Sequence, residues 1–362
     1  MRSEPNYNTI PVGQLGIIAL PGCEELANKI DNYLIRWRFQ RNSEHKDTLA
    51  FAGYEKSTYL INMDFPRFGT GEGKAALNQT VRGYDIYILC DVFNYGVTYK
   101  MYGMTVPMSP DEHFANLKRA ISAIEGKAKR VSVIMPMLYE GRQHKRSSRE
   151  SLDCAMMLQE LHNMGVENFI TFDAHDPRVM NAIPLCGFES ISPAYQMIKA
   201  AVNNVDNLKI NKDNIMIISP DEGGMSRCIY YSTVLGVELG MFYKRRDFSR
   251  IVDGRNPIIA HEFLGDNVEG KDVIIVDDMI SSGESMIEVA TKLKELKAAR
   301  IYIFSAFGLF CNGFDAFDKA FQEGIIDRVF TTNLIYGTPE LLSKDWYIRV
   351  DMSKYLSYII DT

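Results

Sequence analysis

Along this chain, short runs of β-branched and aliphatic residues alternate with longer segments whose apolar positions recur every three or four residues. The apolar runs at 15–20, 84–90, 130–135, 168–172, 214–218, 238–243, 271–276, 300–307 and 328–331 predict strands. Segments at 23–34, 111–124, 149–164, 193–204 and 285–297 predict helices, and in the last of these Met286, Val289, Ala290, Leu293 and Leu296 share one stripe. Such alternation is the mark of βαβ units, so the fold class is α/β, with mainly parallel sheets flanked by helices. Two similar sets of units meet near residues 191–194. The polar, aromatic-rich stretch 37–59 and the Gly- and Met-containing stretch 93–109 read as insertions into this frame, with no function assigned to either. Residues 244–270, which include KRRDFSRIVDGRNP, read as a long loop between strands, and long loops in compact domains are often functional.

A length of 362 residues leaves room for about two domains, each with its own core. The formal net charge of -6 argues against a nucleic-acid binder that works through a general basic surface, so any cationic site must be local. The opening residues MRSEPNYNTIPVGQLG lack the apolar core of a signal peptide, and no stretch approaches the roughly 20 apolar residues of a membrane span. A cytoplasmic chain without a membrane or nucleic-acid partner is expected. Cys23, Cys90, Cys154, Cys186, Cys228 and Cys311 are scattered without ligand-like spacing, which suits reduced, mostly buried thiols.

The strongest local signal is VIIVDDMISSGESM at 273–286, an apolar strand running into two acids, a small-residue turn and a helix. In an open α/β sheet ligands bind at such carboxyl ends. Ser281, Ser282, Gly283 and Ser285 can wrap backbone N–H groups and hydroxyls around a phosphate, aided by the following helix N-terminus. Asp277 and Asp278 can accept hydrogen bonds from vicinal ribose hydroxyls. A buried strand before an ordinary capped helix is the competing reading. A second segment, MPMLYEGRQHKRSSRES at 135–151, gathers Arg142, His144, Lys145, Arg146 and Arg149, and its guanidinium groups suit bidentate phosphate contacts; a solvated basic face is the alternative there.

The first of these strings resembles the phosphoribosyl-binding motif of type I phosphoribosyltransferases and of the ribose-phosphate diphosphokinases (PRPP synthetases). Five further segments, in the same order as in the diphosphokinases, extend the likeness over most of the chain. Arg142 and Gln143 resemble that family's Arg-Gln pair, which contacts ATP. His175, in the segment Phe172-Asp173-Ala174-His175-Asp176, resembles a magnesium-binding histidine, and Asp221, in ISPDEGGMSR at 218–227, resembles an acid on the magnesium and ribose side. Lys244 and Arg246 resemble the catalytic cations that open a flexible loop. RFGTGEG at 67–73 resembles a loop that reaches the ATP of a neighbouring subunit, through Phe68, Thr70, Gly71 and Glu72. Three positions depart from the family pattern: Ser281 and Thr70 stand where Asp is usual, and Glu284 where Gly is usual.

The resemblance implies two phosphoribosyltransferase-like domains. The first, residues 1–192, carries the ATP-side motifs; the second, 193–340, holds the ribose 5-phosphate loop (Asp277, Asp278 and Ser281–Ser285) and the catalytic loop; and 341–362 packs back on the first. It further implies transfer of the diphosphate of ATP to ribose 5-phosphate, Mg2+ as cofactor, and a homo-oligomer built on dimers, the hexamer being the family's common assembly. Two alternatives stay open at this point. One is a type I phosphoribosyltransferase that consumes PRPP, suggested by the DDMISSGES loop alone; the other is a non-catalytic regulatory homologue, suggested by Ser281, Glu284 and Thr70.

Overall fold

Strands that read as unbroken apolar runs need a sheet covered on both faces, and two such sheets form. The computed structural model describes residues 12–44, 55–246 and 258–362. By its internal contacts the chain divides into two units, one made of Met1–Ile191, Leu334–Tyr336 and Met352–Thr362, the other of Ser192–Asn333 and Gly337–Asp351.

The first unit runs β1 (Gln14–Ala19), α1 (Glu24–Glu44), β2 (Met63–Asp64), β3 (Ala76–Leu77), β4 (Tyr84–Leu89), β5 (Thr98–Met101), β6 (Met104–Pro107), α2 (Pro110–Ile124), β7 (Arg130–Ile134), α3 (Asp153–Asn163), β8 (Asn168–Phe172) and β9 (Gly187–Ile191). Its main sheet has the order β1-β4-β7-β8-β9, every pair parallel. Ile18, Ile88, Val133 and Phe169 from the strands pack with Leu117, Leu158 and Leu161 from the helices in one core.

The second unit runs α4 (Ala194–Asn204), β10 (Ile215–Ser219), α5 (Met225–Leu235), β11 (Glu238–Arg246), β12 (Ile258–Leu264), β13 (Asp272–Ile280), α6 (Glu284–Glu295), β14 (Ile301–Gly308), α7 (Asp315–Gln322), β15 (Arg328–Thr332), α8 (Pro339–Leu342) and β16 (Tyr347–Val350). Its seven strands lie in the order β12-β11-β10-β13-β14-β15-β16, parallel apart from the antiparallel β11–β12 pair. The stripe expected on α6 is buried at Met286, Val289, Ala290 and Leu293, in a core shared with Ile275, Ile303 and Trp346. The last helix, α9 (Ser353–Asp361), belongs to the first unit. Among the described residues no helix is long and apolar enough to cross a membrane.

Several elements differ from the sequence expectation. Residues 37–44 are the last turns of α1, not part of an insertion, while 45–54 lie outside the described residues. That end of the helix reads as polar because its partner is charged. Trp37 stacks on Tyr358 at 4.5 Å, Arg38 bonds Asp361 of α9 at 3.0 Å, and Arg41 pairs with the same carboxylate. Helix α3 starts at Asp153, four residues after the expected position at 149, because Ser147 N–H and the Ser148 hydroxyl both donate to the Glu150 carboxylate in a local turn.

The segment 244–270 is not a loop throughout. Arg246 pairs with Ile258 and Lys244 with His261 in an antiparallel ribbon, as suits the β-branched start of IIAHEFL, and 247–257 lie outside the described residues. Strand β13 continues through both acids to Ile280, where the expectation ended it at 276; the ladder with β14 carries on at Asp277↔Ser305 and Ile280↔Gly308. Stretch 93–109 contains the β5–β6 hairpin, turned at Tyr102 (φ 48°) and Gly103 (φ 81°), the two left-handed residues of a type I′ turn.

Candidate active site

In the second unit the site grows from the carboxyl ends of two adjacent parallel strands. After β10, Asp221 turns the chain: its Oδ1 accepts the N–H groups of Gly223 at 2.9 Å and Gly224 at 3.3 Å. A Cβ on Gly224 would stand 2.8 Å from Ser219 Oγ, so the turn is tight enough to exclude a side chain there. Helix α5 then carries Arg227 over the end of β13, with its guanidinium 3.5 Å from Asp277 Oδ1 and 3.9 Å from Asp278 Oδ1. Asp277 Oδ1 also accepts the N–H of Asp278 at 2.9 Å. Burial first, and the neighbouring Asp278 second, push the Asp277 carboxyl well above its usual range, while Arg227 pulls it back.

Beyond Ile280 the chain must reverse into α6, and Gly283 makes this possible. It sits at φ 84°, and a Cβ there would come 2.2 Å from the Phe317 ring; backbone strain and a clash both demand glycine. Ser281 is fixed from the other side, its carbonyl accepting the N–H of Cys311 at 2.8 Å. Glu284, in the first turn of α6, is exposed, and its carboxylate takes an N–H of Asn312 at 3.4 Å. The result is a turn of small residues feeding a 12-residue helix, with two acids on the strand before it. Lys244 and Arg246 lie in β11, on the backbone of the same unit, and their side chains lie outside the described residues.

The first unit carries two clusters. In one, the loop 67–73 is a small structured turn: Phe68 N–H bonds Glu72 O at 2.8 Å, and Thr70 Oγ1 bonds Glu72 Oε2 at 2.9 Å. Gly71 adopts φ 94°. Arg67 staples it, reaching Gly71 O at 3.0 Å, Asn116 Oδ1 at 3.3 Å and Glu112 at 3.6 Å, with its guanidinium 4.8 Å from the centre of the Tyr99 ring. The Tyr99 hydroxyl donates to Glu112, and Tyr102 N–H bonds Gly69 O at 2.8 Å, so the β5–β6 hairpin braces this loop and leaves Phe68 exposed.

The other cluster stands at the carboxyl ends of β7 and β8. Arg142 is exposed, and Gln143 is tied to Ser151 O at 2.9 Å. His175 is exposed with its ring centre 5.3 Å from that of His144. His144 Nε2 lies 3.5 Å from Asp176 Oδ2. Arg178 grips that same acid at 2.5 Å and holds its carboxyl down at about 2. Arg227 is not among the residues that the sequence motifs single out; the adjacency of β10 and β13 is what brings it to the acids.

A duplicated parallel α/β sheet, in which one copy ends a strand in paired acids, a glycine turn and a helix N-terminus, defines a protein of the phosphoribosyltransferase type. Residues 15–165 match the model described as the N-terminal domain of ribose phosphate pyrophosphokinase, and 188–308 match the phosphoribosyl transferase domain. Between them the two models span most of the chain, which belongs to the ribose-phosphate pyrophosphokinase family. The ribose-phosphate pyrophosphokinase of Vibrio parahaemolyticus is 26% identical over 298 residues, covering 81% of this chain and 85% of its own. That of Mycoplasma pneumoniae is 27% identical over 277 residues, 75% of each chain. In fold, the chain is similar to the phosphoribosylpyrophosphate synthetase of Mycobacterium smegmatis, with a TM-score of 0.72 at 19% identity over 96% of this chain and 98% of that one.

Proposed function

We infer that the chain is a ribose-phosphate diphosphokinase: it moves the β,γ-diphosphate of ATP to the anomeric hydroxyl of ribose 5-phosphate, giving PRPP and AMP. The observation that carries this is the ordered pair of family matches, at 15–165 and 188–308, on one chain. The anomeric oxygen attacks the β-phosphorus, the bond from that phosphorus to the oxygen bridging to the α-phosphate breaks, AMP departs, and the hydroxyl proton is released.

Asp277 and Asp278 take the ribose hydroxyls, and Ser281–Ser285 take the 5-phosphate through backbone N–H groups and hydroxyls at the start of α6. Glu284 lies in that stretch, with its carboxylate turned to Asn312. Lys244 and Arg246 meet the charge that develops on the transferring phosphates, which is where such a reaction gains most. Arg142 and Gln143 bind ATP, and Phe68, Thr70, Gly71 and Glu72 bind the ATP of a neighbouring copy, so the enzyme works as a homo-oligomer, in the cytoplasm.

Among the described residues no three or more His, Cys, Asp and Glu side chains form a group able to hold a metal ion unaided. Magnesium keeps waters and binds through one or two protein groups plus substrate phosphates. His175 and Asp221 are the side chains proposed for it, and bound Mg2+ would neutralise phosphate charge.

Phosphorus NMR of the purified chain with ATP, Mg2+ and ribose 5-phosphate tests the proposal: AMP and PRPP should rise together. ADP in place of AMP would refute diphosphoryl transfer, and no turnover at all would refute the enzyme.

A further inference from the structure

Strands β7 and β8 are parallel neighbours, in register at Ile134↔Ile170, so the loops that leave their carboxyl ends run side by side. This alone brings His144 to His175 across 31 positions of sequence. The ring centres are 5.3 Å apart with the planes tilted by 55°. Two imidazoles that share one ion, each with a nitrogen about 2.1 Å from it, place their ring centres at roughly 5 Å when they subtend a tetrahedral angle.

His144 lies behind the exposed His175 with 12% of its side chain accessible. The backbone of Arg142 and the carboxylate of Asp176 face its ring, Nε2 standing 3.5 Å from Asp176 Oδ2. Asp176 is held in place by Arg178 at 2.5 Å and caps the turn at 177–182, so the carboxylate beside His144 is fixed.

We propose that His144 is a metal-ligand residue, acting with His175 as a second imidazole, and that the pair widens the ion preference of this site toward nitrogen-seeking divalent ions such as Mn2+, Co2+ and Ni2+. The proposal rests on the assignment of His175 to the metal in the preceding section. Magnesium prefers oxygen, whereas imidazole suits first-row transition ions, and their affinity for such ligands climbs from Mn2+ to Ni2+. Two protein nitrogens leave the remaining positions to water and phosphate oxygens, so the site stays open to substrate.

Titration of the tag-free full chain with Co2+ alone, followed by calorimetry and visible absorption, tests this without any turnover. Wild type should bind one ion, and His144→Gln and His175→Gln should each weaken it by about tenfold or more. Pulsed EPR of Mn2+-loaded wild type, which depends on no variant folding, should detect two imidazole nitrogens. The ratio of turnover with Mn2+ to turnover with Mg2+ should also fall in His144→Gln. Unchanged Co2+ affinity in a folded His144→Gln, or an EPR signal from a single imidazole, would overturn the proposal. A wild type that binds Co2+ through both rings yet makes no PRPP would overturn the diphosphokinase assignment and leave the metal pair standing.

Discussion

Two strands, one in each sheet, lead into buried acids, and the acids differ in what satisfies them. Asp91, just past β4, lends both oxygens to the backbone: Oδ1 accepts Phe93 N–H at 3.0 Å and Oδ2 accepts Tyr336 N–H at 2.7 Å. It ties the start of 93–109 and the returning segment Leu334–Tyr336 to the sheet of the first unit. Asp277 and Asp278 on β13 are instead faced by a guanidinium at 3.5 and 3.9 Å, longer than a tight ion pair. Burial raises the carboxyl of Asp91 to about 7, and burial together with the paired acid raises that of Asp277. A raised carboxyl therefore does not by itself mark a functional acid. The distinguishing feature is the partner: backbone N–H groups at bonding distance make a structural tie at Asp91, while Asp277 and Asp278 stand beside each other and face the Arg227 guanidinium.

If the β13 end is where substrate is held, the cations of β11 should matter to the chemistry and not to that holding. Lys244→Ala should lower kcat by about 10²–10³, on the order of 3–4 kcal/mol of transition-state stabilisation, with the KM for ribose 5-phosphate shifted by less than about threefold. Steady-state kinetics at saturating ATP decide it; an unchanged kcat removes Lys244 from the mechanism.

Arg227 is what keeps the β13 acids tolerable, and its loss sharpens the contrast in stability. Arg227→Met should cost about 2–3 kcal/mol in urea unfolding, since breaking a buried charge pair strands the remaining charge. Without the guanidinium the Asp277 carboxyl rises further, so a proton relieves the penalty. The cost should be greatest at high pH and shrink on acidification. A loss that is the same at every pH would mean that Arg227 acts through packing alone.

The Asp91 tie carries its own pH signature. Because its folded carboxyl is raised to about 7 from the ordinary 3.8, its contribution is fully present below the lower value and is lost as pH climbs through the upper one. Asp91→Asn cannot ionise, so the stability difference between variant and wild type should shift in favour of the variant by about 2–3 kcal/mol between pH 4 and pH 7. Urea midpoints across that range measure it; parallel profiles would show that Asp91 does not titrate there.

How far all this could be read from the sequence follows from what is local. The nine expected strands and the β13–α6 turn were legible because an apolar run, an acid pair and a glycine that must be left-handed are signals carried by consecutive residues. Strand β9, GFESI, was missed because its polar, partly exposed residues sit at a sheet edge where no apolar run is required. The hairpin in 93–109 was legible in principle, from alternation on either side of Tyr102-Gly103. The pairing of Arg227 with Asp277, of His144 with His175, and of Tyr336 with Asp91 was not, because each is made by strand order or chain return, which no local pattern encodes.

The smallest expected effect concerns Glu284, an acid in the small-residue turn proposed for phosphate. Its charge opposes a bound phosphate, yet the carboxylate is exposed and drawn to Asn312 at 3.4 Å. In that wet setting a charge a few ångströms away is worth about 1 kcal/mol or less. Glu284→Gln should therefore lower the KM for ribose 5-phosphate by only about two- to fourfold. The gain should fade in high salt, because screening shortens the reach of exposed charges to about 10 Å at 0.1 M and about 3 Å at 1 M. A tenfold or larger change, insensitive to salt, would mean that the side chain touches the phosphate directly, and the turn would then select its ligand by more than its backbone.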